Sequence, residues 1–371
     1  MPDKIRQRQY NNIKLEGSNI HITDSDSFAE ILHKDFRLSG KDFILTDVNT
    51  AKYCYPILKN IFPQLDDNKL ITIDAGEDEK NISNLHHIWS FLLHAGADRD
   101  SRLINLGGGM LTDIGGFAAS TYKRGIGFIH IPTSLMGMAD AAIGGKTAIN
   151  LGKVKNQVGL ISLPNGVIVY PGFLKTLPWE EFLSGYAEII KTSLAFDKTF
   201  WESLQCISIT ESQREEITTA LAKGILQHTT EIKVSVASKD LTDKSERQCL
   251  NFGHSIAHAL EALYLSKKKG LLHGVAVAAG MLCEAQISVQ IAGLENDEYK
   301  RIVHYIQKYF PKISFQEQDI DNIIAWMRHD KKNYDGDIMM SLLSAPGKCI
   351  YGIPCPDDIL RQSLTDYIHH S

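Results

Sequence analysis

The segment Leu103-Ile104-Asn105-Leu106-Gly107-Gly108-Gly109-Met110-Leu111-Thr112-Asp113 reads as a strand that passes through three consecutive glycines into a helix. Such a turn leaves the first backbone N–H groups of the helix open. Glycines let those groups approach an anion such as a pyrophosphate, which the helix dipole also favours. Three glycines also make an ordinary tight turn, so the surroundings decide. Phe43-Ile44-Leu45-Thr46 and Leu70-Ile71-Thr72-Ile73 precede the segment and Phe128-Ile129-His130-Ile131 follows it, all strand-like, while Ile82, Leu85, Trp89 and Leu92 recur at helical spacing between them. This alternation predicts a mostly parallel sheet with helices on both faces and ligands at the carboxyl ends of its strands. The spacing departs from Gly-x-Gly-x-x-Gly, which speaks against a standard dehydrogenase domain.

Beyond Leu177-Pro178 the pattern changes. Ile217, Leu221, Ile225 and Ile232 recur at helical spacing, and an alanine-rich run extends from Val275 to Ile287. Ile338-Met339-Met340-Ser341-Leu342-Leu343 and Lys348-Cys349-Ile350-Tyr351 flank Pro346-Gly347 as the arms of a hairpin would. Two domains are therefore predicted, as the 371-residue length allows: an N-terminal α/β, Rossmann-like nucleotide-binding domain over 1–177 and a mainly α-helical C-terminal domain over 178–371.

Hydrophobic residues at 43% and charged residues at 22% are the balance of a globular protein, and a net charge of -5 without a basic run offers nothing to nucleic acid or to an anionic membrane. No apolar stretch approaches the roughly 18 residues of a membrane span, and Met1-Pro2-Asp3-Lys4 lacks the apolar core of a secretory signal, so a cytoplasmic location is expected. The cysteines at 54, 206, 249, 283, 349 and 355 form no Cys-x-x-Cys pair and are expected to be buried, reduced thiols.

Three segments carry residues suited to a catalytic divalent metal: Gly185-Tyr186-Ala187-Glu188-Ile189-Ile190-Lys191, Asn251-Phe252-Gly253-His254-Ser255-Ile256-Ala257-His258 and Leu272-His273-Gly274. One carboxylate and two imidazoles with an open position is a recurring catalytic zinc set. His254 and His258, four residues apart, share a helix face, so both are candidate ligands. Glu188 has mostly apolar neighbours, which argues against a solvated helix face.

These segments, with Gly76-Glu77-Asp78-Glu79-Lys80, Thr121-Tyr122-Lys123-Arg124-Gly125, Pro132-Thr133-Ser134-Leu135, Asp140-Ala141-Ala142-Ile143-Gly144-Gly145-Lys146-Thr147, Lys155-Asn156, Leu174-Lys175-Thr176-Leu177-Pro178, Arg247-Gln248-Cys249-Leu250-Asn251 and His329-Asp330-Lys331-Lys332-Asn333, resemble in order the dehydroquinate synthase family of sugar phosphate cyclases. The resemblance implies Glu188, His254 and His273 as ligands of a divalent metal, Zn2+ or Co2+. It implies an NAD site lined by Asp47, Glu77, Lys80, Gly108, Gly109, Met110, Leu111, Thr112, Asp113, Thr133, Ser134, Lys146, Lys155, Phe173, Leu174, Lys175 and Thr176. It further implies that Arg124, Lys146, Lys191, Lys233, Arg247 and one of Lys331 or Lys332 serve a phosphorylated keto acid, with Asp140, Asn156, Asn251 and His258 as hydrogen-bonding partners. A homodimer is expected. Val275, Leu241, Ala257 and Ala141-Ala142 depart from common family residues without removing a ligand or cation. Three other readings compete: a secondary-metabolic cyclase making an amino-dehydroquinate, an inosose or a valiolone, a metal-dependent polyol dehydrogenase, and a non-catalytic NAD-binding scaffold. Arg124, Lys233 and Arg247 suit a carboxylated substrate and favour the dehydroquinate synthase activity.

Overall fold

The computed structural model describes residues 11–152, 154–328 and 337–370. Lys331, Lys332 and the rest of the 329–333 segment lie outside the described residues. Contacts within the chain group it into two compact units, 1–177 with 214–234, and 178–213 with 235–371. The segment 214–234 thus departs from the expected contiguous division at 177/178. Two side chains tie it to the rest of the first unit: the Arg214 guanidinium donates to the carbonyls of Leu174, Lys175 and Leu177, and the Lys233 ammonium pairs with Asp140.

The first unit contains β1 (Asn11–Leu15), β2 (Ser18–Ile22), β3 (Asp42–Asp47), β4 (Leu70–Ile73), β5 (Arg102–Gly107), β6 (Gly127–Pro132), β7 (Lys146–Leu151), β8 (Val154–Ile161) and β9 (Gly166–Val169). Seven of them form one sheet in the order β1-β2-β9-β6-β5-β3-β4. Only the β1–β2 pair in it is antiparallel. β7 and β8 pair separately as an antiparallel hairpin. The helices are α1 (Ser25–Lys34), α2 (Val48–Tyr53), α3 (Tyr55–Ile61), α4 (Ile82–His94) and α5 (Gly109–Thr121). In α4 the core face is Leu85, Ile88 and Leu92, whereas Ile82 is 60% exposed at the first turn.

In the second unit α6 (Trp179–Phe196) and α7 (Lys198–Leu204) come first. Next in the chain, α8 (Arg214–Ala220) lies in the first unit, and a π-helical turn, Leu221–Ile225, joins it to α9 (Leu226–Lys239). The helical run expected from Ile217 to Ile232 is therefore interrupted. The division between units falls inside α9, after Val234. Then follow α10 (His254–Ser266), α11 (His273–Ile291), α12 (Asn296–Tyr309), α13 (Ile320–Arg328), the hairpin β10 (Ile338–Ala345) and β11 (Lys348–Cys355), and α14 (Asp357–His370). Gly347, at the turn, takes φ +79°.

α11 is the hub of this unit, packing against α6, α10, α12, α14 and β10. At 19 residues it is long and apolar enough to cross a membrane, which corrects the expectation that no stretch is. It is a core helix instead, because 72% of its apolar window is buried by its neighbours. All six cysteines are free; Cys54, Cys249, Cys283 and Cys355 are buried, Cys349 is half-buried and Cys206 is exposed.

Within the sheet, His130 on β6 is buried, with Nδ1 at 3.1 Å from the Asn105 side-chain amide on β5. Burial lowers its pKa from 6.5 to about 3. The folded value lies below the unfolded one, so neutral His130 contributes stability fully above pH 6.5, and that contribution is lost as pH falls from 6.5 toward 3. In urea titrations, the stability difference between the protein and a non-titrating His130→Gln variant should shift by about 2 kcal/mol in the variant's favour from pH 6.5 to pH 5. A pH-independent difference would show that His130 in the folded protein titrates with its ordinary, unfolded value.

Candidate functional site

Each of three helices of the second unit contributes one side chain to a common point: Glu188 from the middle of α6, and His254 and His273 from the first positions of α10 and α11. Their ligand atoms lie within 4.8 Å of one another. Glu188 is buried inside α6, and its Oε2 accepts from the Lys191 ammonium at 2.5 Å. Its Oε1 faces His273 Nε2 at 3.4 Å and His254 Nε2 at 3.7 Å, and is a buried oxygen without a hydrogen-bond partner. Such an orphaned acceptor is costly. A divalent cation among these three atoms satisfies it, and the donor set suits zinc or cobalt.

The electrostatics point the same way. Burial opposes ionisation of Glu188, yet Lys191 and the two imidazoles outweigh it and hold its pKa well below the carboxylate norm. Burial, only partly offset by Glu188, keeps His254 well below the imidazole norm and therefore neutral, as a ligand must be. His273 is half-buried, and although desolvation opposes its charge, Glu261 and Glu188 on its two sides push its pKa up to about 10. A proton stands there where a cation would serve the same carboxylates.

Glu261 was not singled out from the sequence. Its Oε1 lies 3.2 Å from His273 Nδ1, the carboxylate–imidazole arrangement that orients a metal-ligating histidine through its other nitrogen. The available signal was its place on α10, seven residues after His254 and three after His258. His258 itself is exposed, with its ring centroid 5.5 Å from that of His254, and His273 takes the place in the group that spacing alone left open to it.

Close helix crossing makes the convergence possible. The Gly274 N–H donates to Ser184 Oγ, and a Cβ at Gly274 would stand 2.1 Å from the Ser184 carbonyl oxygen. α11 therefore begins against the backbone of α6, one turn before Glu188. Arg247 is buried nearby in the chain, before α10. Asp240 accepts from the N–H groups of Lys244, Ser245 and Arg247, shaping the loop, and the guanidinium donates to the Leu241 carbonyl at 2.8 Å. Leu241 thus acts through its backbone, which accounts for tolerance of its side chain. Asn251 donates to the Gln248 carbonyl.

In the first unit the glycine turn lies between β5 and α5, with Gly108 as the N-cap and no side chain capping the helix. None of Gly107, Gly108 and Gly109 has a positive φ. Space is what they provide: a Cβ on Gly109 would stand 3.0 Å from the Ala141 Cβ, and one on Gly108 would stand 3.1 Å from Ser134 Oγ. Beside the turn, buried Lys80 bonds Glu77 at 2.8 Å and Asp113 at 3.1 Å. Burial pushes Asp113 up to about 6 against the pull of Lys80. Lys233 bonds Asp140 at 2.6 Å and also lowers Asp113 electrostatically. Asn150 links the Glu77 carboxylate to the Asn156 N–H, and Asn156 has φ +55°.

Asp47 Oδ1 caps α2 by accepting from Asn49 and Thr50. Phe173 and Leu174 are core side chains, whereas Lys175 and Thr176 are exposed. Thr133 is buried, its N–H donating to the Gly107 carbonyl, while Lys146 is exposed and Lys155 half-buried on the β7–β8 hairpin. Arg124 lies beyond the C-terminal end of α5, so the length of that helix, about 20 Å, separates it from the glycine turn.

Family models described as 3-dehydroquinate synthase N-terminal and C-terminal match residues 70–184 and 185–333. A 3-dehydroquinate synthase of Parabacteroides distasonis is 39% identical over 327 residues, covering 88% of this chain and 91% of the relative. One of Alkaliphilus metalliredigens is 33% identical over 347 residues, covering 94% and 96%. Among solved structures, a 2-epi-5-epi-valiolone synthase from Streptomyces hygroscopicus subsp. jinggangensis with NAD+ and Zn2+ bound superposes with a TM-score of 0.83 at 23% identity, covering 98% of this chain and 100% of that one. A 2-deoxy-scyllo-inosose synthase complexed with carbaglucose-6-phosphate, NAD+ and Co2+ gives 0.81 at 21% identity, covering 95% and 98%. At these identities the two structures speak for the fold alone.

The Gly274 crossing carries a measurable expectation. Gly274→Ala should overpack the junction, lowering stability by about 1–3 kcal/mol and weakening zinc binding, whereas Gly270→Ala, where a Cβ meets nothing within 4 Å, should do neither. Equal zinc affinity in the two variants would separate the crossing from the Glu188–His254–His273 group.

Proposed function

Because the chain belongs to the 3-dehydroquinate synthase family, we propose that it converts 3-deoxy-D-arabino-heptulosonate 7-phosphate into 3-dehydroquinate and phosphate, in the shikimate pathway of aromatic amino acid biosynthesis. The observation that carries the reading is the convergence of buried Glu188 and His254 with half-buried His273 on one point. Held there, a zinc or cobalt ion would supply Lewis acidity toward a substrate hydroxyl, and NAD in the first unit would supply a reversible hydride acceptor.

The chain's own residues have separate tasks. The uncapped N–H groups at the start of α5 suit the pyrophosphate of a dinucleotide, with Lys80, Asp113 and Glu77 as a preorganised ionic edge beside them. Arg124, Lys146, Lys191, Lys233 and Arg247, with Asp140, Asn156, Asn251 and His258 as hydrogen-bonding partners, are assigned to the carboxylate, phosphate and hydroxyls of the substrate. Lys191 also holds Glu188 ionised through its contact with Oε2. Arg247 is aligned by Leu241 and by the loop that Asp240 organises, so its planar fork is presented to a carboxylate with little freedom left to lose.

The proposed setting is the cytoplasm, in keeping with six free thiols. A homodimer is supported by the exposed apolar side chains of the β7–β8 hairpin, Leu151, Val154, Val158 and Ile161. Sedimentation at the single-chain mass of 41.4 kDa would remove that part of the reading.

Phosphate release from the heptulosonate with NAD far below substrate concentration tests the function. Complete conversion is expected, because the hydride taken up returns to the same carbon; stoichiometric NADH would indicate a polyol dehydrogenase. Chelation should abolish turnover and zinc or cobalt restore it. Arg247→Lys keeps the charge but loses the fork, and should cost about 2 kcal/mol, or tens-fold in kcat/KM. Equal turnover of glucose 6-phosphate would assign the chain to another cyclase.

A further inference from the structure

α11 is apolar through almost its whole length, yet it carries one carboxylate, Glu284, that is fully buried. Glu284 accepts the Gly253 N–H at 2.6 Å on Oε2 and the Ile256 N–H at 3.2 Å on Oε1. Both donors belong to the start of α10: Gly253 is its N-cap, Ile256 lies in its first turn, and between them stands His254. A helix usually takes this bond from the side chain of its own N-cap residue. α10 cannot, because Gly253 has φ +82° and a Cβ there would come within 3.0 Å of Val277 O and of the Met281 backbone.

The neighbouring helix supplies the cap from a fixed register. His273, Gly280 and Glu284 are seven and eleven residues apart along α11, about two and three turns, so they lie on one stripe. That stripe is pinned to α10 at its centre, where a Cβ on Gly280 would stand 1.9 Å from the Gly253 carbonyl oxygen. One rigid element therefore presents His273 at its start and, three turns on, holds the backbone from which His254 departs.

We infer that Glu284 is a positioning residue for the metal group, capping α10 from α11 and thereby fixing His254 relative to His273. The inference rests on the proposed reading of Glu188, His254 and His273 as metal ligands. Glu284 touches neither metal nor substrate; it acts through the backbone on either side of His254. Ligand supports of this kind typically change metal affinity by about 10–100-fold when removed.

The test uses full-length Glu284→Ala and Glu284→Gln. Zinc affinity is read by competition with a chelating dye, ligand geometry by the visible spectrum of the cobalt-loaded protein, and folding by thermal denaturation. Glu284→Ala should weaken zinc by about 10–100-fold and alter the cobalt spectrum, leaving NAD affinity within about twofold. Glu284→Gln retains one carbonyl acceptor and should lose severalfold less, so it decides the matter if the alanine variant does not fold. Undiminished zinc affinity and an unchanged cobalt spectrum in the folded variants, with only the melting temperature lowered, would overturn the inference and leave Glu284 a stability residue. Failure of the unsubstituted protein to bind zinc or cobalt would instead overturn the metal reading beneath it.

Discussion

Glu188 Oε1 is turned toward two imidazoles inside a helix whose surroundings are almost wholly protein, and among the described residues no N–H satisfies it. Such an arrangement persists only if three backbones are held against one another closely enough that none can relax to let water in. The second unit is organised around that requirement. Ser184 and Gly274 bring α6 and α11 together, Gly253 and Gly280 bring α10 and α11 together, and the long side chains of Glu188, His254 and His273 then meet without further adjustment. The glycines are sites of contact here rather than of flexibility.

The first unit meets a different physical demand. Its ionic groups are linked in chains, Glu77 to Lys80 to Asp113 and Lys233 to Asp140, which keep buried charges paired while leaving the start of α5 uncapped by any side chain. Asp113 shows the tension, being displaced upward by burial although Lys80 is in contact. Lys80 and Lys233 are thereby held in place by their carboxylate partners.

What could be read from the residues follows from where their partners lie. β3, β4, β5 and β6 were legible because each is a short apolar run bounded by polar turns, whereas β2 places Ser18 and His21 inside and so hides its period. Glu188 was legible through its apolar neighbours. Glu261 was not, since on α10 it looks like one more solvated acid and only the fold brings His273 to it. The Arg214 tie of 214–234 to the first unit, the cap on α10 and the alignment of Arg247 all use backbone carbonyls or N–H groups, which are identical at every position and leave no pattern in side-chain type.

α11 also has a life before it is packed. Nineteen residues of high apolarity leave the ribosome ahead of α12, β10 and α14, which will later cover much of them, and in that interval the segment resembles a nascent membrane anchor more than a piece of a water-borne enzyme. Partition into a bilayer is governed by the composition of the span, and an ionised residue such as Asp at its centre opposes insertion by about 2.5–3.5 kcal/mol. Glu284, near the middle of the helix, places a charge of that kind where hydrocarbon would have to accommodate it. The carboxylate that ends up bonded to two peptide N–H groups of α10 is thus also the feature that biases the emerging segment away from lipid and toward its own chain.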